Sequence, residues 1–146
     1  MDYETPDIRN VAFAGHAGAG KTTLVEKILA HAGAIQSAGL VEKGSTVSDW
    51  DELEKKHGHS LSASLAGFDY HDTHINLLDT PGYPDFIGAA LSVLPAVETV
   101  GVVINAQRGI EGASRRMMNW AQGQDQCRMV VINQIDSEQA DVQAIY

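Results

Sequence analysis

The sequence predicts an α/β fold of three layers, in which helices cover both faces of a mostly parallel sheet. Short apolar runs alternate with amphipathic stretches along the 146 residues, and this alternation is typical of such a sheet. Residues 100–105 are almost continuously apolar, as expected of a strand that is buried on both faces. Residues 61–68 and 74–79 flank a turn at 71–73, which predicts a hairpin and therefore one antiparallel edge strand.

The predicted elements follow one another from the N-terminus to the C-terminus. Strands are predicted at about residues 10–14, 61–68, 74–79, 100–105 and 129–133, and helices at about 21–32, 84–97 and 112–124. Pro95 is expected to end or kink the second of these helices, because proline lacks the N–H that a helix needs. The strand at 129–133 is expected to be buried, and Asp136 is expected to open a last, incomplete helix.

Residues 33–59 interrupt this pattern with four glycines, many polar residues and weak periodicity. A connection of that length is usually functional or mobile. Within it, residues 49–56 have the composition for a helical turn or two.

Composition limits the classes of protein to which the chain can belong. Its length suits one domain, no apolar run approaches the ~20 residues of a membrane helix, and residues 1–7 lack the features of a signal peptide. A single cysteine, Cys127, fits a reducing cytoplasm and is expected to be packed. The net charge of −9 argues against a grip on nucleic acid through the overall field.

The most informative motif is Gly-His-Ala-Gly-Ala-Gly-Lys-Thr at residues 15–22, which matches the phosphate loop G-x-x-x-x-G-K-[ST]. Its glycines allow backbone N–H groups to approach an anion, Lys21 adds a positive charge, and the Thr22 hydroxyl is a candidate ligand for Mg²⁺. An ordinary glycine-rich turn is the alternative. The apolar strand before the motif and the helix after it favour phosphate binding.

Two further polar motifs follow predicted strands, where an α/β sheet binds its ligands. Asp79 begins the motif D-x-x-G, so its carboxylate is a candidate to hold Mg²⁺ and the Gly82 N–H to contact a terminal phosphate. Asp136 follows the last strand, and a carboxylate there can accept two hydrogen bonds from the guanine edge. A helix cap is the alternative role for Asp136.

With these motifs in this order, the chain resembles the N-terminal part of the GTP-binding domain of a translational GTPase, and most closely that of elongation factor G. The matching segments are residues 15–24, 48–51 with 56–60, 79–86, 105–110 and 133–136. The resemblance implies a Ras-like domain that binds and hydrolyses GTP with Mg²⁺ and acts on the ribosome through the full-length protein. It also implies that residues 33–60 are a mobile first switch, and that a C-terminal part of the domain and the later domains are absent.

The resemblance also implies roles for individual residues. Guanine nucleotide would be bound by Gly15, His16, Ala17, Gly18, Ala19, Gly20, Lys21, Thr22, Thr23, Asn133, Gln134 and Asp136. Mg²⁺ would be held by Thr22, Ser60 and Asp79, and catalysis would involve Lys21, Gly82 and Tyr83. No membrane partner is expected.

Three positions depart from the usual family pattern. Tyr83 stands where the family usually has the histidine that positions the attacking water, and the elongation factor G-like branch also has a tyrosine there. Ser60 replaces the threonine that ligates Mg²⁺ in the family. Gln134 replaces the lysine of Asn-Lys-x-Asp, and its shorter, uncharged side chain is expected to pack less well against the phosphate loop. Three alternatives remain: a nucleotide-binding switch with little hydrolysis, a P-loop ATPase or kinase, and a truncated piece that binds no nucleotide by itself.

Overall fold

The computed structural model describes residues 3–48, 60–138, 140 and 145. The strands are β1 (Ile8–Ala14), β2 (Ser64–Tyr70), β3 (Thr73–Asp79), β4 (Thr99–Asn105) and β5 (Cys127–Asn133). The helices are α1 (Lys21–His31), α2 (Ile87–Val93) and α3 (Gly112–Gly123). Within the described residues, no helix combines the length and the apolar composition that crossing a membrane requires.

The five strands form one sheet in the order β2-β3-β1-β4-β5. The pair β2–β3 is antiparallel, and the pairs β3–β1, β1–β4 and β4–β5 are parallel. The predicted fold class is therefore confirmed, including its single antiparallel edge strand. Because the four parallel strands run in the same direction, the loops that follow them lie at one edge of the sheet.

Apolar side chains pack on both faces of the sheet. One cluster joins β1 and β4 to α2 and α3, and it includes Ala12, Leu94, Val100, Val102 and Met117. The other lies under α1 and includes Phe13, Val25, Leu29, Leu77 and Val103. Six of the seven residues of β4 are buried, which confirms the prediction of a strand covered on both faces.

The strand β5 is not buried as the sequence predicted. It lies at the edge of the described sheet, and its Val130 is 50% exposed although the residue type is typical of a core. The prediction of a packed Cys127 was also wrong, because that residue begins the same edge strand and is exposed. A continuous apolar run identified the strand correctly but could not distinguish a central position from an edge.

Several boundaries differ from the predicted ones. The single helix expected at 84–97 is instead a 3-10 turn (Pro84–Phe86), then α2, then a second 3-10 turn (Leu94–Ala96) that contains Pro95. The strand β2 begins at Ser64, three residues later than predicted. Residues 135–138 form turns and a bend, so no helix begins at Asp136. The helical turn considered for residues 49–56 lies outside the described residues.

Leu94 offers a test of this packing because its side chain is fully buried between α2, α3 and the sheet. We expect Leu94→Ala to lower the free energy of unfolding by about 2–5 kcal/mol, since the deletion leaves a cavity that the core only partly fills. The same substitution at Leu65, which is 62% exposed, is the matched control and should change it by less than about 0.5 kcal/mol. Urea denaturation measures both, and equal losses at the two positions would contradict the described core.

Candidate phosphate-binding site

A cavity of about 270 Å³ opens at the edge of the sheet where β1, β3 and β5 end. It is lined by Ala17, Gly18, Gly20, Lys21, Thr22, Thr23, Val41, Glu42, Ser60, Thr80, Gly82 and Gln134. Nine of these were predicted from the sequence as site residues. The structure therefore brings the phosphate-loop motif, the D-x-x-G segment and part of the last motif to one place.

The loop between β1 and α1 has backbone angles that glycine adopts most easily. Gly15 has φ = 135° and a Cβ there would collide with the Val103 carbonyl oxygen. Gly20 has φ = 88°, and a Cβ there would collide with the Asn133 side chain. These two glycines let the loop lie against β4 and β5 immediately before the N-terminus of α1.

Lys21 provides the positive charge of the cavity. Its side chain is only 7% exposed, and its Nζ donates a hydrogen bond to the His16 carbonyl oxygen at 2.9 Å. Burial lowers the pKa of the Lys21 ammonium below its ordinary value, and the negative charge of Asp79 opposes that shift. A buried ammonium that is held by one carbonyl is stabilised further by an anion, so the site favours phosphate.

Thr22 and Asp79 form the pair of oxygen groups that the sequence assigned to Mg²⁺. The Thr22 Oγ1 donates to the Asp79 Oδ2 at 2.5 Å, and Asp79 is 2% exposed. Ser60 lines the same cavity. Hydroxyl and carboxylate oxygens are donors that Mg²⁺ prefers, and one carboxylate beside substrate phosphates is its usual protein environment. The set of two hydroxyls and one carboxylate therefore fits Mg²⁺. A different kind of metal site, a cluster of three or more Asp, Glu, His or Cys side chains, does not occur among the described residues.

The segment after β3 packs directly on the phosphate loop. Thr80 donates from both its N–H and its hydroxyl to the Phe13 carbonyl oxygen, at 3.2 and 2.8 Å. The Gly82 carbonyl oxygen accepts a hydrogen bond from the Ala17 N–H at 3.0 Å. A Cβ on Gly82 would collide with the Lys21 ammonium and lie only 2.6 Å from the Ala17 nitrogen, so this position has no room for a side chain. Tyr83 follows and is exposed.

Asn133 and Gln134 contact the other side of the phosphate loop. The Asn133 amide donates to the Ala19 carbonyl oxygen at 2.9 Å, and the Gln134 amide donates to the Gly18 carbonyl oxygen at 3.2 Å. The Gln134 side-chain oxygen in turn accepts from the Asn105 amide at 2.5 Å. Gln134 therefore reaches the loop despite being shorter than the lysine usual at this position. Asp136 is exposed beyond it.

His16 points away from the cavity. Its Nδ1 lies 2.9 Å from a Glu111 carboxylate oxygen, its Nε2 lies 3.4 Å from an Arg108 guanidinium nitrogen, and its backbone N–H donates to the Ser114 hydroxyl at 3.3 Å. These contacts tie the phosphate loop to α3 and to the segment before it.

Sequence reasoning missed Glu26, Val41, Glu42, Thr80 and Asn105. Glu26 is the most unusual of them, because it is a carboxylate with no exposed surface on α1. A signal was available, since Glu26 lies one turn of helix from both Thr22 and Leu29 and so shares the inward face of α1. Val41 and Glu42 carried no such signal, because they belong to a stretch without periodicity.

Solved structures resemble this chain closely in fold. A crystal structure of a protein from Thermus thermophilus superposes with a TM-score of 0.90 at 36% identity, over 94% of this chain and 21% of that one. Translation elongation factor SelB from Methanococcus maripaludis, in complex with the GTP analogue GppNHp, superposes with a TM-score of 0.69 at 22% identity. It covers 99% of this chain and 25% of its own, and at that identity the likeness shows the fold alone.

Sequence comparisons identify the family. The chain is 40% identical over 142 residues to a peptide chain release factor 3 from Nitrosomonas europaea, covering 94% of this chain and 26% of the relative. It thus spans about a quarter of the length of that curated relative. The family model described as the elongation factor Tu GTP binding domain matches residues 6–146. The chain therefore belongs to the family of elongation factor Tu-type GTP-binding domains of translational GTPases.

Proposed function

We propose that this chain is the Mg²⁺-dependent, GTP-hydrolysing domain of an elongation factor G-type translation factor that acts on the ribosome in the cytoplasm. The observation that carries the proposal is the convergence of Lys21, Thr22 and Gly82 on one cavity beside a glycine-rich loop, with Asp79 hydrogen-bonded to Thr22. Family membership supports GTP as the nucleotide. The ribosomal step and the hydrolytic activity rest on the resemblance of the switch segments.

The residues of the cavity have separate tasks in this mechanism. Backbone N–H groups of Gly18 and of residues 20–22 bind the phosphates, and the buried Lys21 ammonium neutralises their charge. Thr22 and Ser60 would ligate Mg²⁺ and Asp79 would hold one of its waters; the bound ion offsets the charge that develops on the phosphates. Gly82 donates its N–H to the terminal phosphate, and Tyr83 positions the water that attacks it. Loss of that phosphate releases residues 80–88 and, within the 33–60 segment, the proposed Mg²⁺ ligand Ser60.

Asp136 selects the base in this proposal. Its carboxylate is exposed and follows Gln134, whose amide holds the phosphate loop. A carboxylate can accept from the two adjacent N–H donors of guanine, and adenine presents no such pair. Asn133 and Gln134 then fix the distance between the base and the phosphates.

We expect the full-length protein to bind GDP more tightly than ADP in the presence of Mg²⁺, and Asp136→Asn to remove most of that preference. Loss of one charge-assisted hydrogen bond should weaken GDP binding roughly tenfold to a hundredfold. Titration calorimetry with both nucleotides measures this. Asp72→Asn, in the distant β2–β3 turn, makes the same charge change and should leave both affinities unaltered. Equal affinity of the wild type for GDP and ADP would favour the P-loop ATPase instead.

The tyrosine at position 83, in place of the usual histidine, favours a second candidate function, that of a switch that binds GTP but hydrolyses it very slowly. A phenol can donate or accept a hydrogen bond but does not become a cation near neutral pH. We expect Tyr83→His to raise the single-turnover rate of phosphate release by roughly tenfold or more, with nucleotide affinity unchanged. The control is Tyr70→His, an exposed tyrosine on β2.

The two candidates differ in the wild type. Release of phosphate above the uncatalysed background, measured with and without ribosomes, supports a hydrolysing domain. No release from the wild type with recovery in Tyr83→His would support the switch with little hydrolysis. An unchanged rate in Tyr83→His would show that this position does not control hydrolysis.

Gly82 tests the contact with the terminal phosphate. Because a Cβ there would collide with the Lys21 ammonium, we expect Gly82→Ala to push residues 80–82 off the loop and weaken GTP-analogue binding roughly tenfold more than GDP binding. Gly88→Ala is the matched control, since a Cβ at Gly88 meets nothing within 4 Å. A similar loss for the two nucleotides in Gly82→Ala would argue that Gly82 has no contact with the terminal phosphate.

The ribosomal step has two candidates. Resemblance of the switch segments favours an elongation factor G-type step, that is, translocation or a related step, whereas 40% identity to a release factor 3 favours a termination step. A translocation assay on ribosomes with the full-length protein distinguishes the two steps, because only an elongation factor G-type step predicts GTP-dependent movement of the messenger RNA.

A further inference from the structure

Glu26 is a buried carboxylate to which the proposed mechanism gives no task. It lies on α1 and has no exposed surface. Its Oε2 accepts a hydrogen bond from the Gly39 N–H at 2.7 Å, and its Oε1 accepts one from the Val47 N–H at 2.5 Å. Both donors are backbone groups of the same segment, residues 39–47, called here the 39–47 loop.

The 39–47 loop closes on itself above Glu26. The Leu40 N–H donates to the Ser45 hydroxyl at 3.0 Å, and the Ser45 N–H donates to the Leu40 carbonyl oxygen at 3.3 Å. Gly39 packs so closely on the other arm that a Cβ there would collide with the Ser45 carbonyl. The two arms of the loop therefore meet at the carboxylate, and each arm contributes one N–H to it.

The tip of this loop forms part of the wall of the phosphate cavity. Residues Val41–Lys43 form a 3-10 turn, and Val41 and Glu42 line the cavity together with Lys21 and Thr22. Lys21 and Thr22 begin the helix that carries Glu26 one turn further on. The start of α1 thus carries Lys21 and Thr22, and its next turn carries Glu26, which binds the loop whose tip also lines the cavity.

Burial makes this contact cooperative. A carboxylate away from water is costly unless hydrogen bonds satisfy its oxygens, and hydrogen bonds to a charged group are stronger than neutral ones. If the 39–47 loop detaches from α1, the Glu26 carboxylate loses the Gly39 and Val47 N–H donors together. The closed position of the loop is therefore favoured over partly detached ones.

We propose that Glu26 is a positioning residue that holds the 39–47 loop closed against the cavity and thereby slows the release of bound nucleotide. The first part of this inference concerns the loop alone. The second part rests on the proposed function, because it requires a nucleotide in the cavity.

Hydrogen exchange of the full-length protein without nucleotide tests the first part. In Glu26→Gln one oxygen still accepts, so one of the Gly39 and Val47 amides should exchange roughly tenfold faster or more. In Glu26→Met both acceptors are lost, so both amides should do so, while those of β1 and β4 exchange as in the wild type. Glu138→Gln, an exposed position, is the control for the change of charge and should match the wild type throughout. Wild-type protection of both amides in Glu26→Met would overturn the inference.

Gly39→Ala disturbs the same contact without altering the buried charge. Its Cβ would force the two arms of the loop apart at Ser45, so the Val47 amide should lose its protection as it does in Glu26→Met. This variant decides the question if Glu26→Met exchanges faster in β1 and β4 as well and is therefore globally destabilised. Full protection of Val47 in Gly39→Ala would then overturn the inference.

The rate of release of a fluorescent GDP, measured by stopped flow, tests the second part. We expect release from Glu26→Gln and from Gly39→Ala to be roughly tenfold faster than from the wild type or Glu138→Gln. A freed loop with unchanged release would overturn the role in nucleotide retention. If the wild type binds no GDP, the proposed function fails, whereas the exchange experiment still decides whether Glu26 holds the loop.

Discussion

The parallel pairing of β1 with β3 is the constraint on which the site depends. Its register sets Phe13 opposite Asp79, and the Phe13 carbonyl oxygen then accepts two hydrogen bonds from Thr80. Because β1 leads into the phosphate loop and β3 leads into the D-x-x-G segment, this pairing joins Thr22 to Asp79 across 57 residues. A shift of one residue would turn Asp79 to the other face of the sheet and separate the two oxygen groups.

Charged groups with little exposure to water gather at this edge of the sheet. Lys21, Glu26 and Asp79 are each less than a tenth exposed, although burying a charge costs free energy. Lys21 lines the cavity and donates to the His16 carbonyl oxygen, and Asp79 accepts from the hydroxyl of Thr22, which lines the same cavity. The arrangement is suited to bind an anion with a cation, because the Lys21 ammonium attracts the anion and the Asp79 carboxylate attracts the cation.

Gln134 illustrates how a neighbour compensates for a substitution. The sequence predicted weaker packing against the phosphate loop, because glutamine is shorter than lysine and uncharged. In the structure Gln134 still donates to the Gly18 carbonyl oxygen, and Asn105 donates to its other end. Asn105 therefore fixes which way the Gln134 amide points. The contact is made by two neutral side chains, so it depends on orientation more than on charge.

The sequence by itself determined the order and class of the elements, the phosphate loop at 15–22 and the acid that ends β3, because periodicity, glycine requirements and motif spacing are local properties. Only the tertiary structure decided that β5 lies at an edge of the described sheet with Cys127 exposed, and that Asn105 orients Gln134. It also decided that Glu26 binds the 39–47 loop, whose two N–H donors lie 13 and 21 residues further along the chain. These features depend on which distant groups meet, and no local pattern encodes the partner of a buried polar atom.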